Sequence, residues 1–178
     1  MPWRSWAMKT FKTVAMIQHP RAIVWQTLRD RLDQLAPLLD DIEAVKTQSR
    51  ERGPQGLHLV NGWQAKVPLP KGLTQWIPPD RIAWTDYADW YDQTWECHWQ
   101  IEPHVFRDRI HCVGLTRYEE VLAGRGTRLT CQGTLKVLDL PVPGASALIE
   151  SFITRLIPRN FQQLAAAVSQ SLEATEAG

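Results

Sequence analysis

Cysteine and histidine side chains occur in adjacent pairs, a pattern that raises the question of a metal site. Cys97 precedes His98, His111 precedes Cys112, and Cys131 stands alone further along the chain. A tetrahedral zinc site needs about four ligands that converge on one point. Adjacent side chains of an extended chain point to opposite faces, so neither pair can offer both members to one ion. We therefore predict that the chain has no metal site and no cofactor, and that its three thiols are buried. Metal or oxidant chemistry at three inward-facing thiols is kept as a hypothesis.

General acid–base catalysis needs a titratable group whose pKa is shifted by a desolvated site. The candidates are Asp86, two residues from Trp84 on a strand-like segment, and Tyr118. A strand end beside Asp89 and Asp92 is the simpler interpretation of Asp86, so we assign neither candidate a catalytic role. No serine lies in a Gly-x-Ser-x-Gly turn of the kind that presents a nucleophile.

The balance of charges bears on the kind of partner. Lys and Arg number 20 and Asp and Glu number 19, which leaves a formal net charge of +1. Nucleic-acid binding needs a basic surplus on one face, so this balance predicts no nucleic-acid partner. Trp3 and Trp6, which flank Arg4, could touch a membrane surface transiently, but two rings and few cations predict no stable insertion.

The length of 178 residues and the 44% share of hydrophobic residues predict one folded domain, with residues 1–7 and 173–178 as flexible ends. Residues 1–10 lack the apolar core of a signal peptide. No uncharged stretch approaches the roughly 20 residues of a membrane helix. Because three cysteines cannot all pair within the chain, we expect a cytoplasmic protein with reduced thiols.

The residues considered above must be positioned by the elements that hydrophobic periodicity predicts. Alternation of apolar and polar residues predicts seven strands, whose short connections favour an antiparallel sheet. Two short helices follow the first strand, at residues 21–29 and 32–38, and apolar residues at intervals of three and four predict a long closing helix at 147–173. The predicted strands occupy residues 9–18, 42–49, 57–67, 81–88, 93–102, 108–121 and 127–138.

The order of these elements resembles the helix-grip fold of the START, Bet v 1 and polyketide-cyclase superfamily. The similarity is carried by the pattern His19-Pro20-x4-Trp25-x2-Leu28-x-Asp30, by the Gly-x-Gly-Thr turn at residues 124–127 and by the closing helix. The resemblance implies an α+β fold in which a curved, seven-stranded antiparallel sheet wraps around the long C-terminal helix. It also implies a cavity between helix and sheet. Members of this superfamily mostly bind lipids, polyketides and other apolar molecules there, and a minority are cyclases or dehydratases.

Tryptophan is unusually frequent: the chain holds 9, and six of them lie between Trp63 and Trp99. Strand alternation assigns four of these six rings to the concave face of the sheet, where glycines beside large rings suit a shaped apolar cavity. Rings that only fill the core are the alternative. The other two are assigned to a rim of the cavity: Trp76 in the proline-rich connection, and Trp90 in the turn between the fourth and fifth strands. The predicted ligand-binding residues are Trp63, Trp84, Trp95, Cys97, Trp99, Cys112, Gly114, Cys131, Gly133, Phe152, Leu156 and Phe161.

Three functions follow from these features. The first is binding or transport of an apolar or amphipathic small molecule, similar to a lipid, polyketide or quinone. The second is a cyclase- or dehydratase-like enzyme that uses Asp86 and Tyr118 as acid and base. The third is a protein-interaction module that docks a partner through the sheet or through the proline-rich segment 68–80. A cavity wall rich in tryptophan and poor in titratable groups favours the binding or transport of a small molecule. The predicted partner is therefore a hydrophobic small molecule, and the sequence assigns no oligomeric state.

Overall fold

A single curved β-sheet forms the body of the protein. The computed structural model describes residues 8–78 and 82–178. Within these stretches seven strands form one sheet: β1 (Lys9–Ile17), β2 (Ile42–Arg52), β3 (Gly56–Ala65), β4 (Ala83–Tyr91), β5 (Glu96–Pro103), β6 (Ile110–Val121) and β7 (Gly126–Val137). All neighbours pair antiparallel, in the order β1-β7-β6-β5-β4-β3-β2, so β1 and β2 are the edges.

Three α-helices and three short 3-10 helices complete the described part of the fold. α1 (Arg21–Asp30) and α2 (Leu32–Leu35) follow β1, and α3 (Ala145–Glu176) follows β7. The predicted helix-grip architecture is therefore confirmed. None of the described helices combines the length and the apolar composition that crossing a bilayer requires. The N-terminal residues Trp3 and Trp6, and residues 79–81 at the predicted start of the fourth strand, lie outside the described residues.

α3 spans the open side of the sheet and is held to both of its edges. Gln162 donates a hydrogen bond to the Thr13 hydroxyl of β1 at 2.7 Å. The next residue, Gln163, donates to the Asp41 carboxylate at 2.9 Å, one residue before β2 begins. Arg159 pairs with the same carboxylate at 2.7 Å. The helix otherwise packs mainly on β1 and β7, so the inner faces of β3 to β6 lie across a gap from it.

A buried hydrogen bond joins two of the sequence motifs that carried the resemblance. The hydroxyl of Thr127, from the Gly-x-Gly-Thr turn, donates to the His19 carbonyl oxygen at 2.8 Å. His19 directly precedes Pro20 and the first turn of α1, where proline is well tolerated because its missing N–H has no helical partner. The bond therefore fixes the start of α1 to β7.

α1 places a large ring against one end of the space beneath α3. Trp25 contacts three aromatic rings edge-on: Trp90 at a centroid distance of 4.9 Å, Trp95 at 5.3 Å and Tyr118 at 4.9 Å. Edge-to-face pairs of this kind are favourable beyond the area that they bury. The cluster ties α1 to β4, β6 and the turn between β4 and β5.

Two glycines on neighbouring strands make room for large rings on the inner face. Gly114 of β6 pairs with Gly133 of β7. The Trp99 ring lies over Gly114, where an added Cβ would come within 2.1 Å of the ring. At Gly133 an added Cβ would come within 2.5 Å of the Phe11 ring, which stacks with Trp99 at a centroid distance of 6.2 Å. The rings therefore occupy the volume that side chains at these two positions would need.

The edge strand β2 is irregular. Its pairing with β3 shifts at Glu43 and again at Gln48. Such β-bulges bend a strand and increase its twist. Three of its exposed side chains, Lys46, Arg50 and Arg52, are cationic.

The turn between β4 and β5 lies three residues later than the sequence predicted. β4 continues to Tyr91, and the turn follows at residues 92–95. Trp90 therefore lies on a strand, and its predicted place in a turn is wrong. Trp95 lies in the turn with a φ of 55°. The prediction that Trp95 alternates with Cys97 on the concave face is also wrong, because strand alternation begins only after that left-handed residue.

We expect Gly114→Ala to lower the free energy of unfolding by about 1–3 kcal/mol, because the added methyl group would collide with the Trp99 ring and the Gln132 carbonyl oxygen. Gly53→Ala is the matched control, since the nearest atom to its added Cβ is 4.0 Å away, and it should change stability by less than about 0.5 kcal/mol. Urea denaturation measures both values. Equal stability of the two variants would contradict the placement of Trp99 over Gly114.

Candidate functional site

An apolar cavity of about 220 Å³ lies between α3 and the inner face of the sheet. Four tryptophan rings line it from the strands: Trp63, Trp84, Trp90 and Trp99. One face of α3 forms the opposite wall, and Leu28 and Leu32 contribute from α1 and α2. The residues of α3 in this wall are Ile149, Phe152, Ile153, Leu156, Ile157, Asn160, Phe161 and Leu164.

The proline-rich connection between β3 and β4 covers part of the cavity. Leu69, Leu73 and Ile77 of this segment line it, and Leu73 and Ile77 belong to the same buried cluster as Ile149 of α3. Trp76 is 54% exposed and does not line the cavity. The segment therefore turns its aliphatic side chains inward and one large ring outward.

The structure brings together most of the residues that the sequence nominated. Both acid–base candidates, Asp86 and Tyr118, line the cavity. So do nine of the twelve predicted ligand-binding residues: Trp63, Trp84, Cys97, Trp99, Cys112, Cys131, Phe152, Leu156 and Phe161. These side chains surround one space, and their contact with a ligand stays a prediction.

Three of the predicted ligand-binding residues do not line the cavity. Trp95 lies in the turn after β4 and packs against α1. Gly114 and Gly133 belong to the inner face, as predicted, but the rings of Trp99 and Phe11 cover them. Their role is to admit those rings, so they shape the cavity without touching it.

The cavity-wall residues that sequence reasoning missed include two asparagines and one tryptophan. Asn61 has the same strand alternation as Trp63, and that alternation was the available signal. Asn160 lies one helical turn after Leu156, as a polar interruption of the apolar stripe of α3. Trp90 continues the inward alternation of β4, which the misplaced turn concealed.

Asp86 is the acidic residue of the cavity wall. It lies in the middle of β4, directly opposite Asn61 of β3, so its predicted place at a strand end is wrong. Although the residue keeps some accessible surface, its Oδ1 atom is buried and has no hydrogen-bond partner in the described part of the chain. Burial raises the pKa of this carboxyl to about 7, because the charged form loses water there. The group therefore changes charge in the neutral pH range.

The three cysteines are free, buried thiols that line the same cavity. Burial raises the pKa of Cys97 well above its usual value, that of Cys112 to about 12 and that of Cys131 to about 11. Burial also raises the pKa of the Tyr118 hydroxyl. All four groups stay protonated at neutral pH, so the thiols are poor nucleophiles. Among the residues that the structure describes, no group of His, Cys, Asp and Glu side chains is arranged to hold a metal ion.

Four polar atoms on the cavity-lining residues lack a hydrogen-bond partner within the described chain. Two are donors, the indole N–H groups of Trp63 and Trp90, and two are acceptors, the Oδ1 atoms of Asp86 and Asn160. Buried polar atoms are nearly always paired, and each unpaired one costs about 1–3 kcal/mol. Their concentration around one cavity is typical of a site in which a ligand supplies the missing partners.

Several solved protein structures share this fold. Zhui aromatase/cyclase from Streptomyces sp. R1128 is 14% identical with a TM-score of 0.69, over 93% of this chain and 96% of that chain. Norcoclaurine synthase from Thalictrum flavum is 13% identical with a TM-score of 0.62, over 93% and 87%. Ara h 8.0201 is 16% identical with a TM-score of 0.63, over 94% and 99%. No family model and no curated protein matches the chain. The chain has the helix-grip fold that the sequence resemblance implied.

We expect Asp86→Asn to stabilise the protein, and to do so more strongly at pH 8 than at pH 5. The carboxyl has a pKa of about 7 in the folded state against a usual value of 3.8, so the unfolded chain loses this proton first as the pH rises. The resulting penalty to the folded state begins near the lower pKa and is complete above the higher one. It amounts to about 2 kcal/mol at pH 5 and about 4 kcal/mol at pH 8, and the amide removes it.

Urea denaturation of both proteins at the two pH values measures this difference. Asp89→Asn is the matched control, because Asp89 lies on the outer face of β4 and pairs with His58 at 2.7 Å. That variant should show no such gain. A stabilisation by Asp86→Asn that is equal at pH 5 and pH 8 would contradict a buried carboxyl with a raised pKa.

Proposed function

We propose that the protein binds an apolar or amphipathic small molecule in the cavity beneath α3. The observation that supports this proposal is a cavity of about 220 Å³, walled by four indole rings and aliphatic side chains, with four unpartnered polar atoms on its lining residues. Ligand sites typically have this composition, in which an apolar wall supplies affinity and a few polar groups fix orientation.

The size of the cavity favours a small occupant. An empty apolar cavity leaves the atoms of its wall without contacts on one side, and a ligand that fills it restores them. A dry cavity of about 150 Å³ lined by aliphatic and aromatic side chains binds benzene. The larger cavity here has room for one ring with a short substituent. A long acyl chain would exceed this volume and extend beyond the cavity, so a compact ligand is the better fit. Transport would follow from reversible binding of such a ligand.

A catalytic role is the second candidate, and Asp86 favours it. A carboxyl with a pKa of about 7 can accept and donate a proton at neutral pH. Two proteins of the same fold carry enzyme names, the aromatase/cyclase and norcoclaurine synthase. Tyr118 lines the same cavity and, with its raised pKa, would act there as a neutral hydrogen-bond donor. Loss of turnover in Asp86→Asn with retained binding would distinguish catalysis from binding alone.

We expect the neutral probe 3-phenylpropan-1-ol to bind the wild-type protein and to change its tryptophan emission. Ala88→Phe should weaken this binding at least about tenfold, because Ala88 lines the cavity and the added ring would occupy part of it. Val113→Phe adds the same ring on the outer face of β6, where Val113 is 48% exposed, and should leave binding unchanged. Isothermal titration calorimetry gives the three dissociation constants.

A panel of lipids, quinones and aromatic compounds extends this test beyond a single probe. Circular dichroism checks that both variants are folded. The proposed function is wrong if every compound, at its limit of solubility, leaves the emission of the wild-type protein unchanged and produces no heat of binding.

A further inference from the structure

We propose that the cavity selects a cationic ligand, namely a compact apolar amine whose ammonium group pairs with Asp86. This inference rests on the proposed function, because it presupposes that the cavity binds a small molecule. It narrows the ligand from apolar compounds in general to one charge class.

The wall offers a counter-ion for a cation and none for an anion. Among the described lining residues there is no Lys, Arg or His, and Asp86 is the only Asp or Glu. Tyr118 and the three thiols also face the cavity, from β5, β6 and β7, and they stay neutral because burial raises their pKa. The residues that α1, α2, α3 and segment 68–78 contribute to the wall carry no titratable side chain. A carboxylate ligand would therefore meet a like charge and no cationic partner.

The arginines of α3 do not change this balance. Arg155 is exposed, and its guanidinium donates to the Ser151 carbonyl oxygen of the preceding turn at 3.2 Å. Arg159 is also exposed and pairs with Asp41 at 2.7 Å. Neither side chain lines the cavity. Both cations therefore lie outside the space in which an anionic headgroup would have to be bound.

Aromatic rings next to Asp86 favour a cation as well. Trp84 lies two residues before Asp86 on the same face of β4, about 7 Å away along the strand. Its ring stacks on Trp63 at a centroid distance of 5.7 Å and an interplanar angle of 10°. The faces of indole rings attract cations by about 0.5–2 kcal/mol or more, most strongly where water is excluded. A carboxylate flanked by indoles is therefore a suitable environment for an ammonium group.

The unpartnered polar atoms of the cavity wall also suit an amine ligand. An ammonium group carries three N–H donors and no acceptor. The two unpartnered acceptors of the wall, Oδ1 of Asp86 and Oδ1 of Asn160, are what such donors need. The unpartnered indole N–H groups of Trp63 and Trp90 need an acceptor. An amine whose apolar body carries one hydroxyl, ether or carbonyl oxygen would provide both kinds of partner.

Three probes that share a phenylpropyl body test the charge preference: 3-phenylpropylamine, 3-phenylpropan-1-ol and 3-phenylpropanoate. At pH 8 we expect the amine to bind at least about tenfold more tightly than the alcohol, and the carboxylate to bind more weakly than the alcohol. Between pH 8 and pH 5.5 the amine stays protonated while Asp86 gains its proton, since its pKa is about 7. Affinity for the amine should therefore fall at least about fivefold, and affinity for the alcohol should stay constant.

Asp86→Asn should remove the preference for the amine at pH 8 and retain binding of the alcohol. Asp89→Asn, on the outer face of the same strand, should keep the preference of the wild-type protein. Calorimetric titration with each probe measures all of these constants, and circular dichroism checks the fold of the variants.

The outcomes separate this inference from the proposed function. Equal affinities for amine and alcohol, or tightest binding of the carboxylate, would overturn the selection of a cation while the bound alcohol still supports a ligand-binding cavity. Absence of binding for all three probes and for the wider panel would overturn the proposed function itself. If Asp86→Asn does not fold, the pH dependence of amine binding by the wild-type protein tests the pairing. An affinity for the amine that does not fall between pH 8 and pH 5.5 would contradict its pairing with Asp86.

Discussion

Gln162 and Gln163 are adjacent residues of α3 that reach opposite edges of the same sheet, through Thr13 of β1 and through Asp41, the residue before β2. A sheet whose two edges are drawn to one helix must curve, so its middle strands lie further from the helix than its edges do. The helix accordingly packs mainly on β1 and β7. Side chains that extend from the helix and from β3 to β6 meet across the remaining gap only in part, even where they are as large as tryptophan. The cavity is therefore a consequence of how the helix is attached.

The same geometry explains the chemical character of the wall. The middle strands carry Asp86, Asn61 and several indole rings inward, into a space that α1 closes at one end with Trp25. A core that served stability alone would gain by replacing Asp86 with an apolar side chain, because an unpaired buried carboxyl penalises the folded state. Functional sites are where proteins tolerate such local penalties. The carboxyl and the unpartnered atoms near it therefore distinguish this wall from ordinary core packing.

Much of this arrangement could be predicted from the sequence, because strand alternation and helical periodicity are local properties. Alternation placed Trp84 and Asp86 on the inner face correctly. Alternation failed at Trp95, which is a left-handed residue in the turn before β5 although it is neither glycine nor asparagine. Nothing in the sequence therefore marked the residue at which the alternation of β5 begins. The depth of the cavity was also beyond prediction, since it depends on the curvature of the whole sheet. Gly114 and Gly133 admit rings instead of lining the cavity, and this depends on contacts among residues of four strands.

The open sheet leaves two strand edges with unpaired backbone groups, and such edges are templates onto which a strand of another molecule could add. A closed barrel would remove both edges, but it would leave no side open for α3. The edge strands instead carry the features that oppose such addition. β2 has two bulges and the exposed cations Lys46, Arg50 and Arg52, and β1 exposes Lys9 and Lys12. A second copy that approached β2 would therefore meet a bulged strand, whose register with its neighbour shifts twice. The fold thus keeps the open sheet that its cavity requires, and at the β2 edge the bulges make the strand a poor template for a second strand.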